Sequence, residues 1–242
     1  MIEEFNNYVN NYDINLDGIS RKYKHSFRVM ELSKKYAKLL NFSDEDVELA
    51  TIIGLLHDIG RFEQYAKYKS FDDYKTFDHA DYGVKILFED GLISKFTDRK
   101  DDYELIKFAI RNHNKIKIED TNNKDYIRFA KLIRDVDKLD IVFIFGYLGE
   151  LKNRANRDNI SDNVLKAIYE ERQVDKRDVL NNNDDLAILF GFVFDINYDI
   201  VLEEFKRNIY YYYKAIGCND LFSNIYNRVV DYIDERIGKN VG

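Results

Sequence analysis

The chain of 242 residues has no proline, 11 glycines and a single cysteine. Ordinary usage would supply roughly a dozen prolines over this length. Proline breaks helix interiors and glycine weakens them, so their scarcity favours long uninterrupted helices and argues against a fold built on strand–turn–strand punctuation. Cys218 is alone, which rules out an intrachain disulfide and makes a cysteine-based zinc site an unsuitable reading. Positive charge is short as well. The formal net charge is -7, which argues against general nucleic-acid binding, because phosphate neutralisation needs a basic surface. Long apolar runs are missing too: the longest, LAILFGFVF from Leu186 to Phe194, is about half of what a membrane span needs. The opening MIEEFNNYVNN has neither a basic nor an apolar segment of a signal peptide. The expectation is a soluble, cytoplasmic, all-α protein with ample length for a core.

Apolar spacing then places the helices. Val29, Leu32, Tyr36 and Leu39 mark a helix from about Ser20 to Leu40. Ser43, with Asp46 three residues on, reads as the cap of the next, running through VELATIIGLLHDIGRF. YKSFDDYKTF reads as a loop, after which Asp78 caps HADYGVKILFED. Further helices are expected at about 101–113, 125–151, 162–173, 184–194, 198–215 and 219–237. The whole is expected to be one all-α unit over residues 1–242.

What is present in place of cysteine is histidine in an unusual setting. There are four, and helical periodicity turns each of them inward. His25 precedes Val29 and Leu32 by four and seven, and His57 follows Ile53 and Ala50 by the same steps. His113 follows Ile110 and Ile106 by three and seven, and His79 precedes Gly83 and Ile86 by four and seven. His79 also falls in the first turn of its helix, where the dipole disfavours the imidazolium and keeps the metal-binding neutral form. Asp58 adjoins His57, and Asp137 lies between Ile133 and Ile141, each four residues away. One buried histidine is more often a satisfied core residue than a ligand. Four of them converging with carboxylates suit a transition metal.

The order of these segments resembles the HD-domain metal-dependent phosphohydrolases, and in particular their HDIG-type members. His25, His57-Asp58 and Asp137 match the H…HD…D pattern. HDIG, DHADYGVKIL around His79, AIRNHNK around His113 and LIRDVDKLD around Asp137 extend the match over roughly residues 18–150. The resemblance implies an HD helical bundle as the core, with 151–242 as additional C-terminal helices packed on it. It implies that His25, His57, Asp58 and Asp137 hold one divalent metal. His79 and His113 imply a second, with Asp58 bridging both ions and the nucleophilic water. The ions would be Mn, Fe, Co, Ni or Zn, two of them or one.

The implied reaction is hydrolysis of a phosphomonoester or phosphodiester by metal-activated hydroxide, on a nucleotide or another small phosphorylated metabolite. The alternatives are a cyclic (di)nucleotide phosphodiesterase and a non-catalytic nucleotide-sensing module. Members specific for cyclic-di-GMP carry Gly-Tyr-Pro after the equivalent of His113. Here that region reads NHNKIKIEDTNN, so that subgroup is disfavoured. Arg61, on the side of His57 and Asp58 if the helix continues that far, is a candidate to grip phosphate, or else a structural ion-pair partner. Lys138 is a second phosphate candidate, and Asp140 is placed to orient a ligand histidine or to pair with Lys138. Gln64 and Asn114 complete the set. The aromatic stretches LAILFGFVFDI and IYYYYKAIG read as packing surfaces, with a homodimer interface as an alternative.

Overall fold

A computed structural model describes residues 1–151, 155–217 and 219–239. Cys218 lies outside the described residues. The fold is all-α, and there is no strand among the described residues. The chain divides into two compact units, Met1–Arg134 and Asp135–Gly242.

The first unit contains α1 (Ile2–Val9), α2 (Asp17–Leu39), α3 (Asp44–Leu56), α4 (Gly60–Tyr68), α5 (His79–Val84) and α6 (Tyr103–Asn112). It also contains most of the first half of α7 (Lys124–Gly146), which carries the chain past the unit boundary. The sequence reading did not anticipate α1. Its buried Phe5 and Val9 seat it, and Phe5 packs against Tyr23, Phe27 and Phe62. Burial of two such side chains contributes on the order of 2 kcal/mol each.

α2 buries the stripe Ile19, His25, Val29, Tyr36, the face on which periodicity placed His25. It ends where Asn41 takes φ 57° and Phe42 N–H bonds back to Ala37 O at 3.0 Å, closing the last turn. Ser43 then caps α3 through Asp46 N–H at 3.1 Å. α2 and α3 approach so closely at Gly54 that a Cβ there would stand 2.9 Å from Val29 O.

One expectation is corrected. HDIGRF does not continue α3: the helix stops at Leu56, and α4 begins at Gly60. The last regular bond is His57 N–H to Ile53 O, and tighter i−3 bonds follow, Ile59 N–H to Leu56 O and Arg61 N–H to Asp58 O. Gly54 O, which would serve Asp58 N–H in a continuing helix, accepts instead from the His57 ring at 2.8 Å. The side chain thus diverts its own helix, and the HD pair sits on the corner. The helix expected from His79 also changes character, from α at Val84 to a π-helical turn over Lys85–Glu89.

The second unit holds α8 (Asp162–Tyr169), α9 (Asn182–Gly191), α10 (Asp199–Ile216) and α11 (Asp220–Gly238). Phe190 of α9 packs against Tyr212 of α10 and Phe222 of α11. α9 starts with a reciprocal cap between Asn181 and Asp184. Tyr212 and Ile216 of IYYYYKAIG are buried, whereas Tyr210 and Tyr211 are exposed.

Candidate metal centre

Four elements of the first unit deliver the histidines. His25 comes from the middle of α2, His57 and Asp58 from the α3–α4 corner, His79 from the first residue of α5 and His113 from the end of α6. His25, His57, His79 and His113 are 1, 0, 2 and 3% exposed, and Asp58 is 2% exposed.

Backbone close approach sets where α5 lies. A Cβ on Gly60 would overlap His79 O and stand 2.9 Å from Gly83 N, so the start of α4 and the start of α5 touch main chain to main chain. Asp78 caps α5 through Ala80 N–H and Asp81 N–H, at 2.9 and 3.1 Å. The same carboxylate accepts from Asn114 at 3.1 Å and Lys115 at 2.8 Å, which ties the segment after His113 to the start of α5. Buried Arg134 pins that segment from its other side, donating to Asn112 O at 2.7 Å and Lys115 O.

The ring nitrogens have assignable roles. His57 Nδ1 faces Gly54 O at 2.8 Å and His113 Nδ1 faces Ile110 O at 2.7 Å. A carbonyl only accepts, so both Nδ1 atoms carry the proton and both Nε2 atoms keep a lone pair. His79 Nδ1 lies 2.7 Å from Asp73 Oδ2, which fixes the same tautomer by a charge-assisted bond. Burial by itself would raise the Asp73 carboxyl. The hydrogen bond from His79 and the Arg61 guanidinium outweigh that and hold it well below the usual range. Burial also pushes the His113 imidazolium down, to about 4 against the opposing pull of Asp58, so this ring is neutral at neutral pH.

The Nε2 atoms then meet in pairs. His25 Nε2 and His57 Nε2 are 3.2 Å apart, and His79 Nε2 and His113 Nε2 are 2.9 Å apart. Asp58 stands between the pairs. Its Oδ2 is 3.4 Å from both His25 and His57, and its Oδ1 is 3.2 Å from His79 and 3.5 Å from His113. Lys22 Nζ lies 2.5 Å from Oδ2 and Arg61 Nε 3.6 Å from Oδ1. Burial would raise the Asp58 carboxyl, but the Lys22 charge and the surrounding histidines hold it well below the ordinary value, so it is ionised.

This donor set fits a divalent transition metal. Two lone-pair nitrogens facing each other in a buried site repel unless a cation lies between them. Two imidazole nitrogens about 2.1 Å from one ion stand roughly 3.0–3.4 Å apart for octahedral or tetrahedral angles. The ligand atoms of His25, His57 and Asp58 all lie within 4.8 Å of one another, and so do those of Asp58, His79 and His113.

Most of the remaining sequence candidates are engaged by partners of their own. Asp137 is half-buried on α7, about one turn past the unit boundary. Lys138 is buried and paired with Asp195 at 2.7 Å, and Asp140 is itself buried. Arg61 is engaged through one nitrogen by Gln64 Oε1, Phe71 O and Asp73 Oδ1, at 2.6, 2.7 and 2.8 Å. Gln64 donates to Asp73 Oδ1, Thr76 and Phe77 O, and Asn114 donates to Asp78. These three side chains brace the loop and the cap behind His79. Lys22 and Asp73 were not singled out from the sequence. Lys22 stands three residues before His25, one turn away on the same face, and that spacing was readable; Asp73 sits in a polar loop with no such signal.

An all-α protein with a buried histidine–carboxylate centre is therefore what the fold and the site define. The HD domain family model matches residues 23–141, and this part of the chain is an HD domain. The span takes in His25, His57, Asp58, His79, His113 and Asp137. No curated protein and no solved structure matches the chain. Among the described residues, no helix is long and apolar enough to cross a membrane.

Proposed function

We propose that the chain is a metal-dependent phosphohydrolase that cleaves a phosphomonoester or phosphodiester of a nucleotide or another small phosphorylated metabolite. The observation that carries this reading is Asp58, whose two oxygens face two different histidine pairs. A carboxylate so placed suits two ions, one held by His25, His57 and Asp58, the other by Asp58, His79 and His113. Asp137 enters as a further ligand through the H…HD…D pattern that it completes. Bound divalent ions lower the pKa of water and take up negative charge on phosphoryl oxygens.

The chain's own residues prepare for that chemistry. Main-chain carbonyls and Asp73 hold the Nδ1 protons of His57, His113 and His79, so their Nε2 atoms stay unprotonated and fixed in direction. Asp58 stays ionised in a site that excludes bulk water, which strengthens its hold on cations. Arg61 and Gln64 brace Asp73, and through it His79.

The test combines metal content per chain with hydrolysis of a generic phosphodiester and a generic phosphomonoester. The expected result is close to two ions and hydrolysis of at least one substrate. Asp58→Ala should lose both while keeping its helical ellipticity. Full hydrolysis by that variant would sink the reading.

A further inference from the structure

Of the two cations at Asp58, Lys22 is the closer. Its Nζ has one polar partner among the described residues, Asp58 Oδ2 at 2.5 Å, and it lies 5.5 Å from the Phe71 ring. An ammonium has three N–H donors, so two remain for another acceptor. Arg61, by contrast, spends one nitrogen on three acceptors. Exposure separates Lys22 from its partner. The Lys22 side chain is 15% exposed and that of Asp58 3%, so a ligand approaching Asp58 from solvent has Lys22 in reach.

Oδ2 is also the oxygen that faces His25 and His57. An ammonium and a divalent ion on that one oxygen repel each other, and the more highly charged ion prevails. The stem of Lys22 is a flexible four-carbon chain, so its head can move a few ångströms without disturbing α2. The nearest use for a displaced ammonium at the edge of such a site is an anion bound there.

We propose that Lys22 is the substrate's phosphate-binding side chain, and that it competes with a metal ion for Asp58 Oδ2. The proposal rests on the metal-dependent reading above. It gives that reading a residue for ground-state binding of the phosphate, the role that sequence reasoning gave to Arg61 and Lys138.

The test has two stages, neither needing turnover. Mn2+ or Zn2+ is titrated calorimetrically into chelator-treated wild type, Lys22→Met and Lys22→Arg, and inorganic phosphate is then titrated into the Mn2+-loaded proteins. Lys22→Met should bind metal about tenfold more tightly, since a competing charge-assisted bond is gone, and phosphate about tenfold more weakly. Lys22→Arg should keep phosphate binding close to wild type. Equal helical ellipticity of the three proteins checks the fold. Metal affinity in Lys22→Met equal to or weaker than wild type would overturn the competition, and unchanged phosphate affinity would overturn the phosphate contact. A wild type that binds neither metal would sink the reading of the centre itself, a failure visible before any variant is compared.

Discussion

His79 Nε2 and His113 Nε2 face each other at 2.9 Å in a buried site, although both rings have already committed their protons on Nδ1, to Asp73 and Ile110 O. Such an arrangement is unfavourable by itself and becomes favourable when a cation sits between the nitrogens. Binding that favours the folded state over the unfolded one raises stability by about 2.7 kcal/mol at a ligand concentration a hundredfold above Kd. For a chain of this size that is a rise in Tm of roughly 5–10 °C. Chelator-treated protein given Mn2+ or Zn2+ should show that rise in a thermal scan, and excess chelator should reverse it. An unchanged melting curve in both metals would mean that the facing nitrogens do not form a metal site.

Asp73 should matter nearly as much as a ligand although it is not one. It holds the Nδ1 proton of His79, and it anchors Arg61 and Gln64 at 2.8 Å each. Loss of a carboxylate behind a ligand histidine typically costs 10–100-fold in metal affinity. Asp73→Ala should therefore weaken metal binding by about that factor, with Asp73→Asn in between, because an amide oxygen still accepts from Nδ1. Calorimetric titration of the three proteins checks this. Wild-type affinity in the alanine variant would show that His79 is oriented by its backbone alone.

The histidine faces were legible because helical periodicity acts on each helix separately. Val29 and Leu32 fix the inward side of α2 whatever packs on it, so His25 could be placed from the sequence. The corner at His57 was not legible in the same way. No proline marks it, and the His57 ring takes Gly54 O from the main chain, a side-chain bond that helical periodicity does not report. For Arg61 the sequence leaves phosphate binding and a structural ion pair both open. The corner and the 70–78 loop bring it to Asp73 and Phe71 O, with its Nε 3.6 Å from Asp58 Oδ1. Asp73 itself illustrates the limit: a loop aspartate has no periodicity, and its partner is six residues away through a fold that only tertiary packing defines. α1 is the reverse case, since Phe5 and Val9 carry a four-residue spacing that is readable in the sequence and marks the buried face.

The contact between α4 and α5 offers a steric test. A Cβ on Gly60 would overlap His79 O, and nothing in a main-chain contact can rotate away. Gly83 is more forgiving, since its Cβ would meet Ile59 Cγ2 at 3.3 Å, the end of a side chain that can shift. Gly60→Ala should cost about 1–3 kcal/mol in urea unfolding and lower the metal content, because relief requires moving His79. Gly83→Ala should cost less and keep its metal. Equal effects of the two substitutions would contradict the close approach as the element that positions His79.

Asp184 gives a pH prediction in the second unit. Its buried carboxylate accepts from Ser161 N–H and Oγ–H at 2.7 Å each, and from Leu180 N–H and Asn181 N–H at 2.9 and 3.2 Å. Burial would raise its pKa, but the Ser161 bonds and the two further N–H donors outweigh that and hold it below the ordinary value. The folded state therefore binds this proton less readily than the unfolded chain, whose aspartates titrate at about 3.9. The stabilisation is complete above that pH and is lost as pH falls through the lower folded-state value. Asp184→Asn replaces one acceptor oxygen by an NH2 that faces other donors, and it should cost about 1–3 kcal/mol at pH 7. The gap between the two proteins in urea midpoint should then narrow as pH drops from 5 to 3, while other acidic groups titrate alike in both. A gap that stays constant over that range would mean that the shape of the side chain, and not its charge, holds the start of α9 to Ser161.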